Sequence, residues 1–324
     1  MGTGCGLFIA LLVAVIGALF SSSKAQSLLV FVHWVNWPPF EWSDPSKPSS
    51  QWVQALSSFT GQGLSSGAFA GLPSAVPIST PGEGGTLRGW RIPRVGAGEC
   101  VVLYLHGNAG NIAVDHRVRL YRLLAELHCD VVAIDYRGFG FSDGRWSDEA
   151  SAIADALAMY RSLPGHHEEV IVWGHSLGTG ISLGLMEELL KAEMQLPSGL
   201  VLEAPFLSVP EVATSFVLAI LPDWLCSSLL QQLESILVAH HFSSKSRIGS
   251  VAKVLPVSIL HGRQDAVVPF WHGQELAKLG PAEFQGFDQS HDGIVMDPSL
   301  PSILSRTFEA WLHSKPQHSQ SATV

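Results

Sequence analysis

The apolar run Val170-Ile171-Val172-Trp173 ends in Gly174-His175-Ser176-Leu177-Gly178 and leads directly into a segment of helical pattern. A strand that breaks into a helix through Gly-x-Ser-x-Gly constrains a chain severely. The turn must be sharp, and it crowds the backbone on both sides of the serine. Glycine two residues before and two after relieves that crowding because it carries no Cβ. The serine hydroxyl is then raised at the top of a sheet, beside a helix N-terminus, which is the layout of a nucleophile elbow. The pentapeptide alone also fits a strand-to-helix turn that merely needs small residues, so the rest of the chain has to decide.

Around this motif, short apolar runs alternate with helical stretches. The pattern predicts a hairpin turn at 81–85 and strands at 87–92, 101–105, 130–134, 170–173, 200–202, 255–260 and 283–287. Helices are predicted at 114–127, 147–163, 177–194, 271–279 and 300–313. Strands alternating with helices mean an α/β fold, a mostly parallel sheet with helices on both faces and right-handed crossovers. The fold domain is expected to occupy 76–313. Residues 212–238 break the alternation, being almost continuously apolar. They fit either two core helices kinked at Pro222 or, the preferred reading, a helical cap insertion at about 207–250, where insertions shape ligand pockets.

The chain has 324 residues, of which 47% are hydrophobic and 15% charged, so part of it is expected to meet a membrane or an oily substrate. The formal net charge is −9 and no Lys/Arg-rich run occurs, which leaves a nucleic-acid role without support. Residues 5–20 are apolar and uncharged, and Ser23 and Ala25 form a small-x-small pattern. Residues 1–25 therefore read as a signal peptide or a membrane anchor. Either places the catalytic region in the secretory pathway, in the endoplasmic reticulum with a lumenal domain or, on cleavage, as a secreted product. No Asn-x-Ser/Thr sequon occurs. Residues 26–75 read as a Pro/Ser/Trp-rich arm and 314–324 as a tail. Cys5, Cys100, Cys129 and Cys226 are far apart, without metal-ligand spacing, and predict neither a disulfide framework nor a zinc site.

A serine nucleophile needs a histidine base, an acid that holds the base's tautomer, and N–H groups that meet the oxyanion. On a sheet of this kind the acid follows the serine and the histidine comes last. Asp265 lies in the loop after the predicted strand 255–260, where such an acid belongs; Glu203, at the end of strand 200–202, is a rival. His291, in Gln289-Ser290-His291-Asp292-Gly293, follows strand 283–287 and is the candidate base at an exposed loop tip. His106-Gly107-Asn108-Ala109-Gly110-Asn111 follows strand 101–105 and is a glycine-rich turn that can aim N–H groups into a site. The backbone N–H groups of Asn108 and Leu177 are the candidate oxyanion donors. No metal, flavin or nucleotide motif is present, so no cofactor is expected.

Several stretches together resemble a known family: LYLHGNAG at 103–110 with DHRV at 115–118, DYRGFGFSDG at 135–144, WGHSLGTG at 173–180, LEAPF at 202–206 and LHGRQDAVVPF at 260–270. They are similar to the α/β-hydrolase-domain lipases, most of all to the membrane-anchored monoacylglycerol and lysophosphatidylserine lipases. The resemblance covers about 87–312. It implies the α/β-hydrolase fold and Ser176, Asp265 and His291 as a triad. It further implies a lipid ester substrate, a monoacylglycerol or lysophospholipid, and one N-terminal membrane segment before a lumenal enzyme. The 212–254 segment departs from that group's pattern. A protein depalmitoylase would use the same triad. A non-catalytic hydrolase fold that binds a lipid or a partner is the alternative of another class.

Overall fold

Strands β1 (Val76–Gly82) and β2 (Gly85–Ile92) form an antiparallel hairpin around the two-residue turn at Glu83 and Gly84, as the glycine-rich sequence predicts. A computed structural model describes residues 72–313, apart from 73, 99, 145–147, 164, 166 and 219–240. The expected N-terminal membrane segment, nearly all of the arm, most of the apolar insertion and the tail lie outside the described residues. No helix among the described residues is long and apolar enough to cross a membrane.

After the hairpin come β3 (Val101–Leu105), α1 (Asp115–Glu126), β4 (Asp130–Asp135), α2 (Glu149–Ser162), β5 (Val170–His175) and α3 (Leu177–Lys191). They are followed by β6 (Gly199–Glu203), α4 (Val209–Leu218), α5 (Ser244–Val251), β7 (Val257–Gly262), α6 (Trp271–Lys278), β8 (Ala282–Phe287) and α7 (Leu300–His313). The sheet has eight strands in the order β1-β2-β4-β3-β5-β6-β7-β8. The strands from β4 to β8 pair in parallel and β2 runs against its neighbours. This is the mostly parallel sheet with helices on both faces that the alternating pattern predicts.

Every residue of β3, β4, β5, β6 and β7 is buried, which explains their continuous apolar runs. Successive side chains point to opposite faces, so each strand feeds two separate cores. Leu103, Leu105, Val172 and Leu202 face a core closed by α2, α3 and α5 through Ala156, Ile181, Met186 and Ile248. Val102, Tyr104, Trp173 and Val201 face the other, closed by α1 and α7 through Tyr121, Leu124, Leu304 and Phe308. β5, β6 and β7 end at His175, Glu203 and Gly262, so that Ser176 and the loop carrying Asp265 emerge at the carboxyl edge of the sheet.

The structure corrects the reading of the cysteines: Cys100 and Cys129 are disulfide-bonded, with Cα atoms 4.5 Å apart. Cys100 immediately precedes β3 and Cys129 immediately precedes β4, and Val101 and Asp130 are register partners in the parallel pair. The bond staples the amino ends of two adjacent strands. The 29-residue separation reflects one strand-helix crossover, and so has no signature in the sequence. Closing a loop of that length in the unfolded chain is worth roughly 3.6 kcal/mol on an entropic account. Cys129→Ser is expected to lower the melting temperature by several degrees, with the parent falling to match it in a reducing agent. A parent indifferent to reduction would remove the staple from the stability account.

Candidate active site

Ser176 stands between β5 and α3 with φ 51° and ψ −116°, a backbone conformation that a non-glycine residue adopts only under constraint. The constraint comes from both sides of the turn. A Cβ on Gly174 would strike the Gly178 carbonyl and the Ser182 hydroxyl, and a Cβ on Gly178 would strike the Leu105 carbonyl of β3. Both motif glycines are thus spacers that let α3 lie against the sheet. Two hydrogen bonds fix the turn itself: Ser176 N–H donates to the Glu203 carbonyl at 2.9 Å, and Thr179 N–H to the Ser176 carbonyl at 2.9 Å.

Asp265 and His291 come together as the sequence predicts. His291 Nδ1 lies 2.7 Å from Asp265 Oδ2. The other carboxylate oxygen accepts the N–H groups of Val267 at 2.8 Å and Val268 at 2.7 Å, so the loop is folded around the acid. The two loops are laced by backbone bonds from Arg263 N–H to the Phe287 carbonyl and from Gln264 N–H to the Gln289 carbonyl. Burial opposes ionisation of Asp265, but hydrogen bonds from His261 and His291, the charge of His291 and the Val268 N–H outweigh it. The carboxyl therefore sits below its ordinary range. The loop tip is less exposed than the sequence suggests, the His291 side chain being only 12% exposed. Its ring lies 5.1 Å, centroid to centroid, from that of His175, the residue before Ser176.

The rival acid Glu203 is engaged elsewhere. Its carboxylate accepts the indole N–H of Trp173 at 2.9 Å, beneath the elbow. Burial pushes its carboxyl up to about 7, against the lowering effect of that hydrogen bond. The sequence prefers Asp265 and keeps Glu203 as a rival; among the described residues the structure hydrogen-bonds Asp265 to His291.

The glycine-rich turn is organised by a residue that sequence reasoning missed. Arg117, in α1, is buried, and its guanidinium donates to the carbonyls of Asn111 at 2.7 Å, Gly107 at 3.1 Å and Ala109 at 3.0 Å. His106 Nδ1 also contacts the Gly107 carbonyl at 2.7 Å. Because the peptide is trans, the Asn108 N–H points opposite to the Gly107 carbonyl, away from the arginine. Arg117 belongs to the DHRV stretch, but no local pattern marks its role. His175 and His116 lie in the same buried quarter. Burial, with the charges of neighbouring groups, lowers the imidazole of His175 well below its ordinary value and that of His116 to about 4.

Residues 101–225 match the family described as the alpha/beta hydrolase fold. The lysophosphatidylserine lipase ABHD12 of Danio rerio is 32% identical over 309 residues, spanning 88% of this chain and 77% of that protein. Its counterpart from Xenopus tropicalis is 32% identical over 298 residues, spanning 86% of this chain and 75% of that protein. Among solved structures, an alpha-beta hydrolase from Vibrio vulnificus superposes with a TM-score of 0.61 at 20% identity, covering 83% of this chain and 89% of its own. An esterase from Pyrococcus furiosus gives 0.59 at 18% identity, covering 85% of this chain and all of its own. At such identities the structural likeness speaks for the fold.

The raised carboxyl of Glu203 generates a pH test. Below pH ~4.5 the group is protonated in both folded and unfolded chains and costs nothing. Between there and about 7 the unfolded chain ionises first, so stability falls as pH rises, and above about 7 the cost is constant. Glu203→Gln is therefore expected to match the parent near pH 4.5 and to exceed it above pH 7, by on the order of 1–3 kcal/mol. Asp135, also pushed to about 7 by burial, titrates in the same window but is common to both proteins and cancels in the difference. Urea unfolding of both across pH 4.5–8 measures it; a difference that does not grow with pH would contradict it.

Proposed function

The chain belongs to the α/β-hydrolase family, with the ABHD12 lipases, and from that premise we propose that it cleaves the acyl ester of a single-chain lysophospholipid through an acyl-enzyme on Ser176. The 2.7 Å contact between His291 Nδ1 and Asp265 Oδ2, on loops laced together beside the elbow, carries the reading. In this mechanism His291 Nε2 takes the proton from the Ser176 hydroxyl as its oxygen attacks the ester carbonyl. Asp265 holds the Nδ1–H tautomer and stabilises the imidazolium. The N–H groups of Leu177, first residue of α3, and of Asn108 receive the oxyanion. His291 then returns the proton to the leaving alcohol, and a water activated by the same base releases the fatty acid.

The assignment of roles is tested by substitution. Ser176→Ala should abolish labelling by a fluorophosphonate probe and turnover of lysophospholipids, with thermal unfolding nearly unchanged. Asp265→Asn should cut kcat about 10⁴-fold by favouring the wrong tautomer, while Glu203→Gln should retain most activity. The reverse ranking would move the acid to Glu203. A panel of lysophospholipids and monoacylglycerols differing only in headgroup decides which ester is preferred.

Residues 1–25 supply a membrane anchor, with the hydrolase domain in the lumen of the secretory pathway. The apolar run at 5–20 supports this. So does the Cys100–Cys129 disulfide, since such bonds persist in oxidising compartments. The full-length protein is expected to stay in the membrane pellet after carbonate extraction. A soluble product beginning at Gln26 would replace the anchor with a cleaved signal.

A further inference from the structure

Next to the candidate triad, and outside it, three side chains converge. His116 is the second residue of α1, His175 ends β5 immediately before Ser176, and Asp292 follows His291. Asp292 Oδ1 lies 3.5 Å from His116 Nε2 and 3.6 Å from His175 Nε2. One potential ligand atom from each residue falls within 4.8 Å of the others. Ligands held about 2.0–2.2 Å from a tetrahedral zinc stand roughly 3.3 Å apart, so the two measured separations are close to the edges of such a shell.

The imidazoles are also poorly satisfied by protein. His116 Nε2 is buried without a hydrogen-bond partner among the described residues. His175 is 2% exposed, and the hydrogen-bond partner of its Nε2 among the described residues is the His291 carbonyl, at 3.4 Å. That length is beyond a good N–H···O bond. Its Nδ1 is likewise unpartnered among the described residues and can carry the proton while Nε2 offers its lone pair. Buried polar atoms left unpaired are costly and call for an explanation. Asp292, with a side chain 54% exposed, leaves one side of the cluster open to water.

We propose that His116, His175 and Asp292 form a binding site for a zinc-class divalent cation, and that its occupancy inhibits the hydrolase. Two imidazole nitrogens, borderline donors, together with one carboxylate oxygen suit zinc better than magnesium or calcium, which take all-oxygen shells. Three protein ligands leave the fourth position for water or an anion. Arg117 opposes a cation here, and Asp115 and Asp292 favour one. The coupling rests on the reading of His291 as the base; the binding does not. The cation would sit on a ligand bonded in sequence to His291 and on His175, whose ring adjoins it. Divalent charge there disfavours the imidazolium that forms when Ser176 is deprotonated.

The test uses the full-length enzyme stripped of metal. Zinc is titrated against a chromophoric chelator, cobalt(II) is followed by its visible absorption, and ester hydrolysis is assayed at each zinc concentration. One zinc per chain, intense tetrahedral cobalt bands and a reversible loss of hydrolysis of about tenfold or more are expected. His116→Gln and Asp292→Asn are made separately. Each should weaken zinc binding at least about tenfold, by analogy with a lost ligand or its support, and resist zinc inhibition while keeping metal-free hydrolysis. That retained hydrolysis also shows that each variant is folded. Undiminished zinc affinity in both variants, or weak octahedral cobalt spectra, would overturn the site. Zinc binding at His116 and Asp292 without change in hydrolysis would overturn the coupling.

Discussion

The close approach of α3 to β3 is the constraint on which the rest depends. The carbonyl of Leu105 occupies the space that a side chain at 178 would need, and the carbonyl of Gly178 occupies the space needed at 174. With both positions reduced to hydrogen, the chain reverses within a few residues and the helix packs directly on the sheet. Ser176 then has no choice but the strained φ and ψ it shows. Strain of this kind costs about 1–3 kcal/mol and persists because Ser176 N–H is tied to β6 and the flanking residues are buried. The same contact sets the distance from the serine to the turn after β3, so the elbow and the candidate oxyanion donors are placed by one packing event.

Around that fixed point the loops are held by polar groups that satisfy one another locally. Asp265 spends one oxygen on the N–H groups of its own loop and keeps the other for His291. Arg117 does the corresponding work on the glycine-rich turn, gathering carbonyls from 107 to 111 around a buried cation. Carbonyls drawn inward leave amide N–H groups directed outward, which is the requirement for meeting a developing negative charge. Loops normally lie on the surface because their backbone groups need water; here Asp265 and Arg117 bind backbone groups in its place.

Legibility in the sequence followed the range of the interactions. The central strands were readable because burial on both faces makes them continuous apolar runs, and the elbow because its glycines are a local steric demand. Asp265 and His291 were readable because chain order on such a sheet limits where an acid and a base can stand. The Cys100–Cys129 bond was not, since it depends on the register of β3 against β4. The preference for Asp265 over Glu203 was readable from chain order, but not its physical reason, the Trp173 indole that engages Glu203. The His116–His175–Asp292 cluster was silent for the same reason as the disulfide, its members coming from separate crossovers; Arg117 has its partners only six to ten residues away, but nothing in the local pattern marks it as buried.

The electrostatics of the buried quarter give the division of labour between the two acids a physical basis. Glu203 is pushed up to about 7 by burial, with a single indole N–H to offset it. An acid in that state is only partly ionised at neutral pH and cannot reliably stabilise an imidazolium. Asp265 is also buried, yet two backbone N–H groups and two histidines more than offset the loss of water, and it remains an anion. His175, immediately beside the serine, is held neutral by the same loss of water. Asp265 thus supplies a dependable negative charge hydrogen-bonded to His291. An imidazolium forming at His291 meets that charge across 2.7 Å, with no second cation on the adjacent imidazole to oppose it.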